Sequence, residues 1–315
     1  MKSFIGYSAE PSIRFKATSG GIGSSLLKWL FDKKIVETSI SFYFNAERLR
    51  FEPRIIHSFD DYDICGSIYQ EIDLIRFVKL HLNEIKGGFA CFALPCQART
   101  IRHLVNKAGH KSIIIGLTCS SQQTIEATKY LLRKEHLLES NIANIQYRGN
   151  GWPSGIQIQL KDNSKIFINN NNSIWTQIFH SRLFIRNKCF KCQDTLNKFS
   201  DFTLADPWFK EFIQNEKIGK TLVFDNTKED SLLERCYKDG YIVLEEIPEN
   251  LAINSQQGTI DRKKSYRYNK RKVNIFFRII NNKLYRKLIY YSSFFKLHLF
   301  LKRKFENYLL RSLNK

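Results

Sequence analysis

The chain has 315 residues, of which 43% are hydrophobic and 14% aromatic, so it can bury the core of one large domain or two ordinary ones. Its seven cysteines are an odd number spread along a long chain, which excludes the dense disulfide scaffold of a small secreted protein. The N-terminal residues contain no apolar run long enough for a signal peptide, so we expect a cytoplasmic protein.

The formal net charge of +20 is concentrated at the C-terminal end. Residues 262–315 contain 17 Lys and Arg and the single acid Glu306, a net of +16, which leaves +4 for residues 1–261. The body of the chain is therefore nearly balanced, and the charge does not by itself indicate a nucleic-acid-binding domain.

The first informative segment is a predicted helix over residues 23–34, preceded by Ser19, Gly20 and Gly21. Small residues at a helix start expose backbone N–H groups, which can bind an anion such as a pyrophosphate. An ordinary helix N-cap is the alternative. The segment GIGSSL is not a Rossmann fingerprint, because its sixth position is Leu26 and no clear strand precedes it.

The middle of the chain predicts a β-α-β-α unit. Its two strands are apolar runs of the kind that is buried on both faces of a sheet. Gly109 is expected to end the first helix, and Ser120 or Ser121 to cap the start of the second. The four segments, in order, are residues 87–96, 97–109, 111–119 and 120–137.

Cys96 and Cys119 each end one of these two strands. A β-α-β crossover makes its strands parallel, and ligands of open α/β sheets collect beyond the carboxyl ends of the strands. If the two strands are neighbours, the two thiols face one shared cavity.

Later segments complete an α/β chain with a mixed sheet. Residues 156–168 alternate apolar and polar side chains about Asp162 and Asn163, which predicts a β-hairpin. Residues 173–187 are predicted to be helical and lead to Cys189. The remaining predicted elements are strands at 199–208, 220–227 and 241–247 and a helix at 228–240.

Cys189 and Cys192, separated by two residues, bring the number of candidate thiolates to four when they are added to Cys96 and Cys119. Four thiolates from three segments suit a 4Fe-4S cluster or a Cys-four zinc site, and unligated cysteines are the third alternative. A redox dithiol is disfavoured, because no strand leads into the pair. The other cysteines, interpreted as small apolar residues, are Cys65, Cys91 and Cys236.

Residues 258–315 predict a basic helical tail. Lys and Arg interrupt its apolar residues, so no stretch approaches the about 18 uninterrupted apolar positions of a membrane span. An anionic membrane surface, a nucleic acid and a solvated extension are the alternatives, and the mixture of aromatic with aliphatic residues favours the membrane over nucleic acid. We expect deletion after Gln257 to remove membrane contact and leave any cofactors in place.

Seven short motifs, in order, resemble the beta-subunit family of coenzyme F-420 hydrogenases and dehydrogenases, from about Tyr7 to about Thr227. Each motif is weak alone, and the series is specific. The motifs are ATSGG (17–21), CGSIYQ (65–70), LPCQA (94–98), LTCSS (117–121), YRGNGW (147–152), CFKC (189–192) and SDFTLADPW (200–208).

The resemblance implies an iron–sulfur flavoprotein oxidoreductase of α/β fold. It implies that one 4Fe-4S cluster is held by Cys96, Cys119, Cys189 and Cys192. It also implies that FAD binds beside the cluster, and the cofactor-binding residues are then Ser19, Gly20, Gly21, Gln97, Arg148 and Asp206. We interpret the chain as an N-terminal region of the family (1–86), a C-terminal core with the cluster cysteines (87–257) and the basic tail (258–315).

The chain departs from the family pattern at three positions. Ser120 replaces a His, Ala205 a Gly and Pro207 an aromatic residue, which would alter proton transfer or close cofactor approach. The fused ferredoxin-type clusters of many relatives have no counterpart, so electrons are expected from a separate ferredoxin-type donor or partner subunit.

Relatives with basic helical tails resemble proteins of cell-surface polysaccharide synthesis, which places the expected substrate at the inner face of the membrane. Two other functions stay open. One is a non-catalytic membrane-surface scaffold of a glycan-assembly system with a degenerate cofactor site. The other is a zinc-stabilised nucleic-acid-binding protein.

Overall fold

The computed structural model describes residues 2–152, 154–170, 173–209, 219–227, 231–291 and 294–313. The strands are β1 (Lys2–Ser8), β2 (Thr38–Asn45), β3 (Arg50–Ile56), β4 (Phe89–Ala93), β5 (Ser112–Leu117), β6 (Ile142–Gln146), β7 (Gly155–Leu160), β8 (Lys165–Asn169), β9 (Phe202–Ala205), β10 (Thr221–Asp225) and β11 (Ile242–Glu246).

The helices are α1 (Pro11–Lys16), α2 (Ile22–Asp32), α3 (Leu74–Leu80), α4 (Pro95–Lys107), α5 (Ile125–Lys134), α6 (Ile174–Ser181), α7 (Asn187–Lys191), α8 (Leu232–Lys238), α9 (Glu249–Asn254), α10 (Gln257–Tyr268), α11 (Lys270–Ile280), α12 (Lys283–Tyr291) and α13 (Phe294–Arg311). The predicted α/β class, with a mixed sheet and a helical C-terminal tail, is confirmed.

The main sheet has eight strands in the order β11-β1-β10-β9-β5-β4-β2-β3. Its centre is parallel, because β2 pairs with β4, β4 with β5 and β5 with β9 in the same direction. The outer pairs are antiparallel. The predicted β-α-β-α unit is therefore present, and the carboxyl ends of β4, β5 and β9 lie along one edge of the sheet.

The central strands are buried on both faces, as their apolar runs predict. Successive side chains of a strand point to opposite faces. Ala90 and Ile115 pack on the side of α2 and α8, whereas Phe89, Cys91 and Ile114 pack on the side of α3 and α4. The sheet is thus the middle layer of a three-layer structure.

A second sheet, of three antiparallel strands in the order β6-β7-β8, contains the predicted hairpin. Asn163 takes a left-handed φ of 69° in its turn. Sequence analysis did not identify β6, nor the strands β1, β2 and β3. The expectation that no strand precedes α2 is wrong, since β1 does so, although α1 lies between them and separates α2 from a Rossmann-type turn.

The second helix of the unit begins later than expected. Its N-cap is Thr124, so the assignment of Ser120 or Ser121 as N-cap is wrong. The reason is that the segment before it stays extended, with Gln123 bridged to Gln70 and Ile185. The hydroxyls of Ser120 and Ser121 instead accept hydrogen bonds from two arginines, described below.

Residues 173–187 form a shorter helix than predicted. The helix α6 ends at Ser181, and Arg182 follows with a left-handed φ of 64°. A residue in this conformation ends a helix by turning its backbone out of the helical path. The chain then runs irregularly to α7, which carries Cys189.

The C-terminal helices pack against the body of the protein. The ring of Phe295 lies 5.3 Å from that of Tyr130, and Tyr266 stacks on Phe190 at 5.6 Å. The side chains that the tail contributes to the largest hydrophobic core are Tyr266, Val273, Ile280, Ile289, Phe295 and Leu309. The alternative of a solvated extension is therefore wrong. No helix of the described residues has the length and apolarity to cross a membrane.

Glu306, the single acid of the tail, lies in a buried charge network. Its carboxylate pairs with Lys302 at 2.5 Å and with Arg182 at 3.4 Å, and it accepts a hydrogen bond from the Tyr266 hydroxyl at 2.5 Å. Arg182 also donates to the Ser121 hydroxyl at 3.2 Å. This network joins α13 to the segment that follows β5.

Candidate cofactor site

The four candidate cysteines converge at the carboxyl edge of the main sheet. Cys96 lies in the first turn of α4 and Cys119 lies two residues after β5. Cys189 lies within α7, and Cys192 is its C-cap residue. Three chain segments that are distant in sequence therefore supply thiols to one region, of which the strand-end argument concerned only Cys96 and Cys119.

Two hydrogen bonds attach the segment after α7 to the strand ends. The Asn197 side chain donates to the Ala93 carbonyl oxygen at 2.7 Å, at the end of β4. The Cys119 N–H donates to the Thr195 carbonyl oxygen at 3.1 Å. Gly116 makes room for this segment, because a Cβ there would lie 2.3 Å from the Ser200 hydroxyl oxygen.

The thiols are close enough to influence one another's ionisation. Burial raises the pKa of Cys119 to about 12, the positive charge of Lys263 opposes this, and the other three candidate cysteines add to it. Cys96 is exposed to solvent. Partial desolvation, opposed by Lys188, and the nearby Cys189 and Cys192 raise its pKa as well. All seven cysteines are free.

No three His, Cys, Asp or Glu side chains of the described residues are arranged to share one metal ion. A tetrahedral zinc with sulfur at about 2.3 Å holds its ligands in van der Waals contact with one another. An iron–sulfur cubane assigns one thiolate to each of four irons and so accepts a wider arrangement. The set of four thiols around one region is chemically the donor set of such a cluster.

Two cations from the tail border the cysteines. Lys263, which is 3% exposed, places its ammonium 3.5 Å from the Cys192 sulfur and donates to the Asp194 carbonyl oxygen at 2.6 Å. Arg262 donates to the Ser120 hydroxyl at 2.8 Å. Neither forms an ion pair with a carboxylate anywhere in the part of the chain that the structure describes. A buried cation such as Lys263 is disfavoured without a counter-charge, so this region is suited to an anion.

A cavity of about 680 Å³ extends from Cys119 toward the start of α2, and Cys96, which was expected to face the same cavity, is not among its lining residues. This volume falls within the usual range for cofactor and small-molecule sites. Its wall includes most of the candidate residues, namely Ser19, Gly21, Gln97, Cys119, Arg148 and Asp206. The structure thus brings together residues that lie up to 187 positions apart in the chain.

Arg148 and Asp206 form an ion pair in the cavity wall. The guanidinium Nη1 lies 2.5 Å from Asp206 Oδ2, and the side chains are 6% and 15% exposed. Although burial opposes it, the carboxylate of Asp206 raises the pKa of Arg148. Ser19 donates its hydroxyl hydrogen bond to the same carboxylate. Arg148, which the resemblance implies as a cofactor-binding residue, is thus paired with a carboxylate of the protein itself.

One atom of this pair lacks an acceptor. Arg148 Nε is buried and has no hydrogen-bond partner within the described residues. A buried N–H of this kind is rarely left unsatisfied in a folded protein.

The start of α2 presents backbone N–H groups to the cavity. The first N–H groups of a helix have no intrahelical acceptor, and Ile22, Gly23 and Ser24 all line the cavity. Gly21 is the N-cap residue with a left-handed φ of 80°, which favours glycine. Gly20 does not offer its N–H, because that group already donates to Thr221 Oγ1 at 2.9 Å.

The amide oxygen and the amide nitrogen of Gln97 both form hydrogen bonds within the protein. Its oxygen accepts from the backbone N–H of Leu94, the N-cap residue of α4, at 3.0 Å, and its nitrogen donates to the Ile72 carbonyl oxygen at 3.2 Å. These bonds fix the first turn of α4, in which Cys96 lies. The side chain lines the cavity, with its polar atoms already partnered.

Two of the three departures from the family pattern, Ser120 and Ala205, line the cavity, and Pro207 follows the cavity residue Asp206. Ser120, which stands where the family has a His, is hydrogen-bonded to Arg262, so a cation from the tail lies beside the altered position. Burial, then the charge of Arg182, lowers the pKa of Arg262 to about 10, so it stays cationic at pH 7. Ala205 lines the cavity, and Pro207 is buried after β9.

Sequence reasoning missed Arg262 and Lys263 as site residues. They belong to the run Arg-Lys-Lys at 262–264, which has the composition of a solvated helix face. Only Lys264 of the three is exposed. No signal in the run separates the buried cations from the exposed one.

The fold and the site define a class of protein: a three-layer α/β protein with a four-thiol group beside a cofactor-sized cavity. The chain belongs to the coenzyme F420 hydrogenase/dehydrogenase beta-subunit family, whose N-terminal region matches residues 3–79 and whose C-terminal region matches residues 87–250. The resemblance inferred from the seven motifs is thereby confirmed, and the family is one of iron–sulfur flavoprotein oxidoreductases.

A solved structure supports the fold. A chain of the xenon-derivatised F420-reducing [NiFe] hydrogenase complex from Methanosarcina barkeri is similar with a TM-score of 0.63 and 14% sequence identity. The match covers 84% of this chain and 90% of the other. No curated protein sequence matches this chain. The tail beyond residue 250 lies outside both family matches.

Proposed function

We propose that the protein is an electron-transferring oxidoreductase in which Cys96, Cys119, Cys189 and Cys192 hold one 4Fe-4S cluster and the adjoining cavity holds FAD. A cluster of this kind transfers single electrons and a flavin carries out two-electron chemistry. The observation that carries the proposal is the group of four free thiols bordered by two tail cations that have no carboxylate partner among the described residues.

The charge balance supports an anionic occupant. A cluster with four thiolate ligands has a net negative charge, which Arg262 and Lys263 would compensate. Metal ligation requires thiolates, and the raised pKa of Cys119 means that cluster binding must release its proton. The region 258–315 is then part of the cofactor site.

The cavity supports a phosphate-bearing cofactor such as FAD. The start of α2 offers N–H groups and the positive end of the helix dipole to an anion. Within the pocket, Ser19 and Arg148 would be oriented by Asp206, and Gly20 and Gly21 would let β1, β10 and α2 approach closely. Gln97 would act by fixing the first turn of α4.

The substrate, donor and compartment are finer parts of the proposal. A substrate in cell-surface polysaccharide synthesis is supported by the resemblance and the basic tail. A separate partner subunit or ferredoxin-type donor is supported by the complex to which the similar hydrogenase chain belongs. The cytoplasm is supported by the free thiols, which persist in a reducing compartment.

Anaerobic purification followed by measurement of iron, acid-labile sulfide, zinc and released flavin tests the proposal. We expect about four irons and four sulfides per chain, as in one cubane cluster, together with bound FAD. The variant Cys192→Ser should lose iron and sulfide, whereas Cys236→Ala, changed in the core beside α2, should keep both. Zinc without flavin, or a colourless and metal-free protein, would refute the proposal.

A further inference from the structure

The last helix, α13, has one buried stripe and one exposed apolar stripe. One faces the protein and consists of Phe295, His298, Lys302 and Leu309, all of them buried. The other faces solvent, where Leu297, Phe300 and Leu301 are 43%, 56% and 51% exposed. Their spacing of three and four residues puts these three side chains on one side of the helix. Packing of the first stripe therefore holds the second one outward.

The helix α11 lies antiparallel to α13 and extends this exposed surface. The contacts that define the alignment are the stacked rings of Phe276 and Phe305, 4.7 Å apart, and Lys272 Nζ with Tyr308 Oη at 2.5 Å. Ile275 and Ile279 of α11 are 53% and 49% exposed and share one side of that helix. Because the helices are antiparallel, one helical turn after Phe276 and one turn before Phe305 place Ile279 and Leu301 at about the same level.

Cations surround these exposed apolar side chains. Those that are exposed on the two helices are Lys270, Arg271, Lys272, Arg278, Lys296, Arg303, Lys304 and Arg311. Glu306, the only acid of residues 262–315, is turned inward to the buried charge network. The exposed face of α11 and α13 therefore has apolar and positive groups and no exposed carboxylate among its described residues.

We propose that this α11–α13 face lies on the surface of an anionic lipid bilayer. An interfacial helix inserts an exposed apolar stripe at the boundary of the acyl chains while flanking Lys and Arg reach the lipid phosphates. Juxtaposed cations add to binding where the leaflet is anionic. Both features are present on helices whose orientation is fixed by packing on the protein.

The two other classes of partner fit this face less well. Protein interfaces are depleted in lysine at their core, whereas here Lys304 lies over the exposed ring of Phe300, 5.5 Å from its centroid. Nucleic acid is bound through phosphate contacts, which give no use to exposed leucine and isoleucine side chains. A lipid surface alone uses both components.

Sedimentation of the full-length protein with vesicles tests the proposal. The probes are vesicles of pure phosphatidylcholine and vesicles that also contain phosphatidylglycerol. We expect binding to the anionic vesicles only. The double variant Phe300→Ser with Leu301→Ser should bind at least about tenfold more weakly, and Arg303→Glu should weaken binding by about fivefold or more.

Matched controls use exposed residues on another helix. Leu80→Ser and Lys79→Glu on α3 change the same kinds of exposed side chain and should leave vesicle binding unchanged. Equal binding to both vesicle types, or no binding to either, would overturn the proposal. The proposal would also be overturned if binding to anionic vesicles were weakened by Arg303→Glu but unchanged in the Phe300→Ser, Leu301→Ser double variant. That result would describe a purely electrostatic surface of the kind that binds nucleic acid. The readout does not depend on cofactor content.

Discussion

The ammonium group of Lys263 lies 3.5 Å from the sulfur of Cys192, in a site whose four candidate cysteines all belong to the region that matches the family. Lys263 comes from α10, beyond the last residue that matches the family. The tail of this chain therefore reaches the first atoms that a bound cluster would touch.

Replacement of Lys263 by Met should make the reduction potential of the cluster more negative. A nearby positive charge and an N–H donor to sulfur both stabilise the reduced, more negative cluster, and the variant removes both. Redox titration followed by electron paramagnetic resonance measures the change. Lys263→Arg should keep most of the wild-type potential.

The neighbouring substitution Lys264→Met is the control, because Lys264 is exposed and should leave the potential unchanged. An unchanged potential in a Lys263→Met protein with a full iron and sulfide content would contradict this role for Lys263. A wild-type protein without a cluster would instead contradict the proposed function.

Replacement of Glu306 by Gln should destabilise the protein by about 3–5 kcal/mol, because it leaves Arg182 and Lys302 buried without their counter-charge. Urea unfolding at pH 7 measures the free energy. The exposed pair Lys129–Glu139 provides the control, and Glu139→Gln should change stability by less than about 1 kcal/mol.

The effect of Glu306 should depend on pH. Although burial opposes it, Arg182 and Lys302 hold the pKa of Glu306 below its ordinary 4.5. A carboxylate with a lowered folded pKa stabilises fully above its unfolded pKa, and the contribution is lost as pH falls through the folded pKa. The difference between wild type and Glu306→Gln should therefore be constant from pH 7 to about pH 5 and shrink in more acid solution. A difference that grows on acidification would contradict this assignment.

Separate replacement of Asp206 by Leu or Arg148 by Met should destabilise the protein and release flavin. Each single change leaves a buried charge unpaired, at about 3–5 kcal/mol. The double variant should be more stable than either single variant, because no unpaired charge remains. Urea unfolding and flavin per chain are the readouts, and strict additivity of the two changes would exclude coupling of this pair.

Replacement of Gly20 by Ala should destabilise the protein by about 1–3 kcal/mol through overpacking. A Cβ at Gly20 would lie 2.5 Å from the Gly6 carbonyl oxygen and 2.7 Å from the Thr221 nitrogen, both in the backbone. The control is Gly258→Ala, since a Cβ at Gly258 meets nothing within 4 Å. Thermal unfolding distinguishes the two, and equal stability of both variants would show that β1 and β10 yield to the added methyl.

Deletion after Gln257 should remove parts of the cofactor site and of the hydrophobic core in addition to any membrane contact. The sequence alone suggested that cofactors would survive it. The tail supplies Arg262 and Lys263 to the site and six buried side chains to the largest core. We expect the shortened chain to be poorly folded and to contain less iron than wild type; full retention of iron and stability would contradict this.

The sequence by itself determined the central β-α-β-α unit and the placement of Cys96 and Cys119 after its two adjacent strands. Those predictions hold because long apolar runs bounded by Gly and Pro specify buried strands, and because parallel strands necessarily share a carboxyl edge. The sequence analysis did not identify the strands β1, β2, β3 and β6. β2 and β3 lie at one end of the main sheet, where no run of apolar residues as long as that of β4 marks them.

Only the tertiary structure decided which side chains of the basic tail are buried and which residues they contact. Net charge does not say which of three consecutive cations is buried, because burial depends on where α10 docks and not on composition. Packing turned Lys263 toward Cys192, Glu306 toward Arg182, and Phe300 toward solvent. The hydrophobic contacts of one helix face fix the direction of every other side chain on that helix, and these contacts join residues too far apart in sequence for any local pattern to specify.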